Sequence, residues 1–163
     1  MAMGRLQGNS LIPVLLRLPL VFYLNLSFTL GFTDSTQAGD LSNLRLSLRP
    51  DKPAYAVEEP VKITLTLTNL GDQEVQLQFT SSQQFDFVVR RDKTEVWRWS
   101  NGRMFSMMLT TMVLKPQSSK SHTAVWAQKD NSGRPVSPGR YEVLALLPLH
   151  QPIFSKPAPI IIR

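Results

Sequence analysis

Cysteine is absent from the 163 residues of the chain, and that absence removes disulfide staples, thiolate metal sites and cysteine nucleophiles together. It leaves the compartment open, because a domain of this size can stand on its core without cross-links. Histidine is nearly absent too, with His122 and His150 alone. His122 shares an alternating stretch with Ala124 and Trp126, and His150 sits in a proline-rich exit segment, so neither has the company that acid–base or metal chemistry needs. There is no Gly-x-Ser-x-Gly elbow, no His-Glu-x-x-His pair and no phosphate-cradling glycine loop. Asp130-Asn131-Ser132-Gly133 begins like a calcium loop but lacks the bidentate acid further along, which makes it a turn. The chain therefore reads as a non-enzyme, with no catalytic residue, metal or cofactor expected.

Amphipathic helices are also missing after residue 40. What replaces them is strict alternation in short runs separated by turn residues, the signature of an all-β fold. Leu44, Leu46 and Leu48 alternate with polar neighbours. Val61, Ile63, Leu65 and Leu67 do the same against Lys62, Thr64, Thr66 and Thr68. Further strands are expected at residues 75–80, 85–90, 95–99, 110–114, 120–128, 141–147 and 160–162. Arg91-Asp92-Lys93 forms a hairpin tip, and residues 50–60 and 129–139 are rich in turn formers. The spacing predicts an antiparallel immunoglobulin-like β-sandwich of about 7–9 strands. Residues 100–108 have no period of two and are expected to form a loop or a short helical turn across one end of it. Trp97 and Trp99 share one strand face and Trp126 lies on another strand. Such rings bury about 150–250 Å² each and belong in a core. Phe85, Phe87 and Tyr141 join them as expected core residues, and Asp86 is placed to pair with Arg98 or Arg103 on the outer face. Gly102, Gly133 and Gly139 fall where turns need positive φ.

The net charge of +6 comes from 18 basic and 12 acidic residues. The basic residues, among them Arg45, Arg49, Lys52, Arg90, Arg91 and Lys93, are dispersed along the chain, which reads as a solubilising surface rather than a nucleic-acid face. Ahead of the alternating part, residues 11–32 read LIPVLLRLPLVFYLNLSFTLGF, preceded by Arg5 and followed by small and polar residues. That is the order of a targeting segment, with Thr36-Gln37-Ala38 as a cleavage pattern and Gly39 as the first mature residue. Residues 18–30 fall short of the roughly 20 that span a bilayer. Residues 1–38 are thus expected to be a signal peptide or a membrane anchor, with membrane attachment through residues 11–32, ahead of a domain at 39–163. Either reading makes the protein secreted, periplasmic or attached to the cell envelope; a start placed too far upstream would make it cytoplasmic.

From Phe85 onward the runs FDFVVRR, EVWRWSNGRMFS, VLKPQSS, VWAQKDNSG and RPVSPGRYEV, with Asn69 to Gly71 before them, together resemble the BsuPI family of proteinase inhibitors. Gln117 departs from the glycine more usual in the family's turn. The resemblance implies a protein partner, here a serine protease, held through a surface loop without catalysis. Two loops qualify. In one, Arg103, Met104 and Phe105 offer side chains for specificity pockets, or else Met104 and Phe105 plug the end of the sandwich. In the other, Pro135 and Pro138 stiffen the chain beside Arg134. The alternative function is a non-catalytic immunoglobulin-like binding or assembly module of the cell envelope. Exposure of Met104 and Phe105 distinguishes contact with a partner from a plug.

Overall fold

The computed structural model describes residues 41–163, and these form an antiparallel β-sandwich around one hydrophobic core. The expected leader at 1–38, with its cleavage pattern and membrane attachment, lies outside the described residues. A 3-10 turn, Leu41–Asn43, leads into β1 (Leu44–Pro50). There follow β2 (Ala54–Tyr55), β3 (Val61–Asn69), β4 (Val75–Phe79), β5 (Asp86–Arg91), β6 (Thr94–Arg98), β7 (Thr110–Leu114), β8 (Ser119–Trp126), β9 (Gly139–Leu147), β10 (Ile153–Phe154) and β11 (Ala158–Ile162).

One sheet has the order β1-β3-β8 and another the order β2-β11-β9-β5-β6, with β10 beside β9, while β4 and β7 pair separately. Alternation decides the faces. Val61, Ile63, Leu65 and Leu67 of β3 are fully buried, and their polar neighbours form an outer hydroxyl ladder with β8. Thr64, Thr66 and Thr68 meet Thr123, Ser121 and Ser119 at 3.3, 2.9 and 2.9 Å, and cross-strand pairs of this kind contribute about 0.2–1 kcal/mol each. Tyr141, Val143, Ala145 and Leu147 of β9, with Phe87 and Val89 of β5, supply the opposing inner face. Between β1 and β2 the chain crosses from one sheet to the other, where β2 pairs parallel with β11. Tyr55 of β2 is buried and its hydroxyl donates to Asp51 Oδ1 at 2.7 Å. Desolvation, aided by that carboxylate, pushes the phenol pKa up to about 12.

Turn chemistry sets the register. Asp92 and Lys93, joining β5 to β6, have φ of 49° and 67°, the two left-handed residues of a type I′ hairpin turn, whose twist matches the strands it connects. Gly139 has φ of +147°, and a Cβ there would stand 3.1 Å from Arg91 Nη2. The glycine leaves room for the Arg91 guanidinium, 5.5 Å from the Tyr141 ring centroid. The Tyr141 hydroxyl donates to Ser137 O at 2.6 Å, a tyrosine corner that fixes the entry to β9. Gln117 also adopts a left-handed φ, 54°. The strain is offset by its side-chain amide, which donates to Leu70 O at 2.7 Å and Gly71 O at 3.1 Å, so a glycine-type turn is kept without glycine.

The expected core divides in two. Phe87, Trp126 and Tyr141 are buried, whereas Phe85, Trp97 and Trp99 are half-buried and pack against the core from its edge. The reason is topological. Trp97 lies on β6, the last strand of its sheet, while Phe85 and Trp99 fall just outside β5 and β6, so all three sit where the sheet ends.

Candidate protein-binding loops

Asp86 organises the start of the first loop. Its carboxylate is buried, 2% exposed, and it accepts from Phe87 N (2.9 Å), Ser100 N (3.1 Å), Ser100 Oγ (2.6 Å) and Arg98 Nη1 (2.9 Å). The expected ion pair with Arg98 exists, with the carboxylate buried and the guanidinium half-buried, and hydrogen bonds to a charged group are strong. Arg98 also grips Glu95 at 2.6 Å, and those hydrogen bonds hold the Glu95 carboxyl below its ordinary pKa. Arg103 is not a partner of Asp86. Its guanidinium lies 4.3 Å from the Trp99 ring centroid, and its Nε donates to Trp99 O at 2.9 Å.

Beyond Ser100 the backbone turns tightly, with Arg103 N donating to Ser100 O at 3.0 Å and Gly102 at φ 71°. Phe105 is half-buried, its ring centroid 6.0 Å from that of Trp99. Ser106 N donates to Ser82 Oγ and Ser82 N to Ser106 O, both at 3.0 Å. Around these anchors the apolar side chains point away from the protein: Met104 is 98% exposed, Met107 89%, Met108 66% and Leu109 82%. The two residues expected to act alike therefore separate, Phe105 pinning the loop and Met104 standing free. Behind Trp99 the ring stack continues inward through Phe85 at 4.5 Å to His122, a further 4.3 Å on. His122 Nε2 is buried with no hydrogen-bond partner among the described residues, and desolvation lowers the pKa of the ring.

The second loop is closed on itself. Asp130 accepts from Ser132 N (2.8 Å), Arg134 N (2.9 Å) and Arg134 Nε (2.9 Å). These bonds, the backbone one from Arg134 foremost, hold its carboxyl below the ordinary carboxylate range. Arg134 is exposed but its charged end is turned back to Asp130, and Pro135 bridges to Lys129. The loops meet through Asn131. Arg98 N donates to Asn131 Oδ1 at 2.8 Å and Asn131 N to Val96 O at 3.0 Å, so the loop occupies the free edge of β6 as a strand would. A groove of about 430 Å³ lies between them, lined by Trp97, Trp99, Arg103, Val125, Lys129 and Gly133 among others.

Two buried polar residues escape a reading for chemistry, Gln128 beside the second loop and Asn69 at the other end of β3. Asn69, fully buried, donates through Nδ2 to Gln73 O, Leu114 O and Lys115 O at 2.7–3.1 Å. Gln128, 3% exposed, donates to Ala56 O and Glu59 O at 2.7 and 2.6 Å and accepts from Glu58 N at 3.0 Å. Parity reveals both: Asn69 continues the inward series 61, 63, 65, 67, and Gln128 the series 122, 124, 126. A polar residue at an inward position must find partners in the core.

Among known families, the model for BsuPI, described as intracellular proteinase inhibitor, matches residues 48–152. The chain belongs to the BsuPI family. That span includes both loops, Asp86 and Gln128, so the motifs held together here are those of BsuPI proteins. No curated protein matches the chain. Among solved structures, it is similar to the CARDB domain of PF1109 from Pyrococcus furiosus, with 15% identity and a TM-score of 0.41 over 73% of this chain and 91% of that one. It is also similar to the alkylpurine DNA glycosylase AlkC of Pseudomonas fluorescens, with 13% identity and a TM-score of 0.48 over 77% of this chain and 32% of that one. A third is the β-glucosidase EmGH1 of Erythrobacter marinus, with 13% identity and a TM-score of 0.46 over 74% of this chain and 15% of that one. The chain thus spans less than a third of the two enzymes it resembles. The BsuPI description corrects one expectation. A family of intracellular inhibitors overturns the secreted, periplasmic or envelope placement drawn from the apolar residues 11–32.

Proposed function

We propose that this BsuPI protein inhibits a serine protease by seating residues 104–109 in the substrate cleft, with Met104 as the leading side chain. The observation that carries the reading is the contrast inside one short loop: Met104 is 98% exposed, while Phe105 and Ser106 beside it are fixed against Trp99 and Ser82. A loop held in one conformation loses little entropy on docking, which is how a rigid inhibitor gains affinity. Met104 suits an apolar specificity pocket of the chymotrypsin type better than a pocket for a basic residue. Arg103 and Arg134 are already engaged, by Trp99 and Asp130, and support the loops from within. Inhibition by this route requires no catalysis by the protein itself.

The test is titration of subtilisin-like and chymotrypsin-like proteases with the full chain. Stoichiometric loss of protease activity is expected, abolished in Met104→Asp and retained in Arg134→Ala. A folded protein that leaves every protease active would sink the inhibitor reading in favour of a binding module that uses the same apolar loop.

A further inference from the structure

Sulfur is distributed unevenly in this chain. There is no cysteine, and of six methionines three fall within residues 104–108. Those three are the exposed ones of the loop, 98%, 89% and 66% accessible, whereas Met112, the third residue of β7, is 3% exposed. Thioether oxidation follows access to the sulfur, and with no thiol in the chain to consume the oxidant, a peroxide meets these three sulfurs before that of Met112. The result would fall on the surface assigned above to the protease.

We infer that Met104, Met107 and Met108 form a peroxide-oxidised modification site that switches off the docking loop while leaving the fold intact; the switch rests on the inhibitor reading, the modification site does not. In the reaction the sulfur lone pair attacks one peroxide oxygen, the O–O bond breaks, and that oxygen stays on sulfur as the sulfoxide. The second oxygen leaves as water with both protons. Each sulfur loses two electrons and each hydrogen peroxide gains two. A flexible apolar side chain becomes a polar one, and an apolar protease pocket then has to desolvate the new S=O dipole without a partner for it.

The fold has no stake in the change. The three side chains stand in solvent, and the loop is held by Phe105, Ser106, Ser100 and Asp86, none of which carries sulfur. Reversal follows from the same exposure, because methionine sulfoxide reductase can reach the sites and a dithiol can supply two electrons and two protons, becoming a disulfide while the sulfoxide oxygen leaves as water.

The experiment treats the full chain with dilute hydrogen peroxide and reads three quantities. Peptide mass mapping should show a gain of ~16 mass units per sulfoxide at Met104, Met107 and Met108 well before Met112. The melting temperature should stay unchanged. Protease inhibition should weaken at least tenfold and return after treatment with reductase and dithiothreitol. In the variant Met104→Leu, Met107→Leu, Met108→Leu, whatever its own inhibitory strength, peroxide should make no difference. Oxidation of Met112 at the same rate as the loop would overturn the modification site, and full inhibition by the triply oxidised protein would overturn the switch. A chain that inhibits nothing before oxidation would instead remove the inhibitor reading and the switch with it, while the mass map still decides the modification site.

Discussion

The loops at 100–109 and 129–139 lie on either side of one groove, yet they use their side chains in opposite ways. In the first, the backbone is tied down at Ser100, Phe105 and Ser106 while four apolar side chains stand in solvent. In the second, Asp130 and Arg134 bond to each other and Asn131 bonds to β6. A loop whose polar groups bond mainly within the molecule has less to offer a partner and serves as a brace. One whose backbone is fixed and whose apolar side chains are unmatched is prepared for docking. Both loops contain stretches, 100–108 and 133–139, that were candidates on sequence, and their different bonding is the reason the proposed function rests on the first.

The largest break in this contrast should come from Asp86. In Asp86→Ala the half-buried Arg98 guanidinium keeps only Glu95 and Ser100 loses both of its bonds to the carboxylate, so urea denaturation should show a loss of about 2 kcal/mol, the scale for donors deprived of a charged acceptor. A loss below about 1 kcal/mol would mean that the carboxylate behaves as a surface group and does not hold the loop. Asn131→Ala should be milder. It frees the Arg98 amide and removes a weak contact to Glu95 at 3.3 Å, which amounts to about 1 kcal/mol for one hydrogen bond. Faster hydrogen exchange at Arg98 would show that the brace has detached, and unchanged exchange there would dissociate the second loop from β6.

The parts that were legible in the sequence are those governed by alternation. Strand β7 coincides with the expected 110–114 and β4 falls one residue short of the expected 75–80, and the type I′ turn falls at the expected Arg91-Asp92-Lys93 tip. Strands β2 and β10 were hidden because each is only two residues long and set among prolines, its pairing imposed by β11 or β9 rather than by any pattern of its own. Asp86 was placed on the correct face but read as surface, since nothing local announces that Ser100 and Arg98 will close over it. The difference between Met104 and Phe105 was illegible for the same reason. It depends on Trp99 and Ser82, which reach the loop only through the folded sheet.

His122 offers a subtler probe, because the ring stack of Trp99, Phe85 and His122 runs from under the first loop into the sandwich. Burial lowers the imidazole pKa from its ordinary 6.5, with Lys120 adding to the shift. The unfolded chain then binds the proton more readily than the folded one. The full stability contributed by neutral His122 is present above pH 6.5 and is lost as pH falls through the lowered folded value. Melting temperature should therefore decline between neutral and mildly acidic pH, ahead of the pH at which Asp130 and Glu95, their pKa values lowered, take up protons. His122→Leu should flatten that early part of the curve; an equal slope in the variant would assign it to other groups.

The smallest expected effect on stability is the most informative about the first loop. Met104 is 98% exposed and contributes no burial to the core, so Met104→Ser should move the unfolding free energy by less than about 0.5 kcal/mol, the range of ordinary surface changes. The same substitution should weaken protease inhibition severalfold, since the serine cannot fill an apolar pocket. A residue that plugs the end of a sandwich would behave in the reverse way, costing stability and sparing inhibition. Measured on one protein sample, the ratio of the two effects therefore separates a docking side chain from a structural one, and a large loss of stability in Met104→Ser would return this loop to the role of a cover for the core.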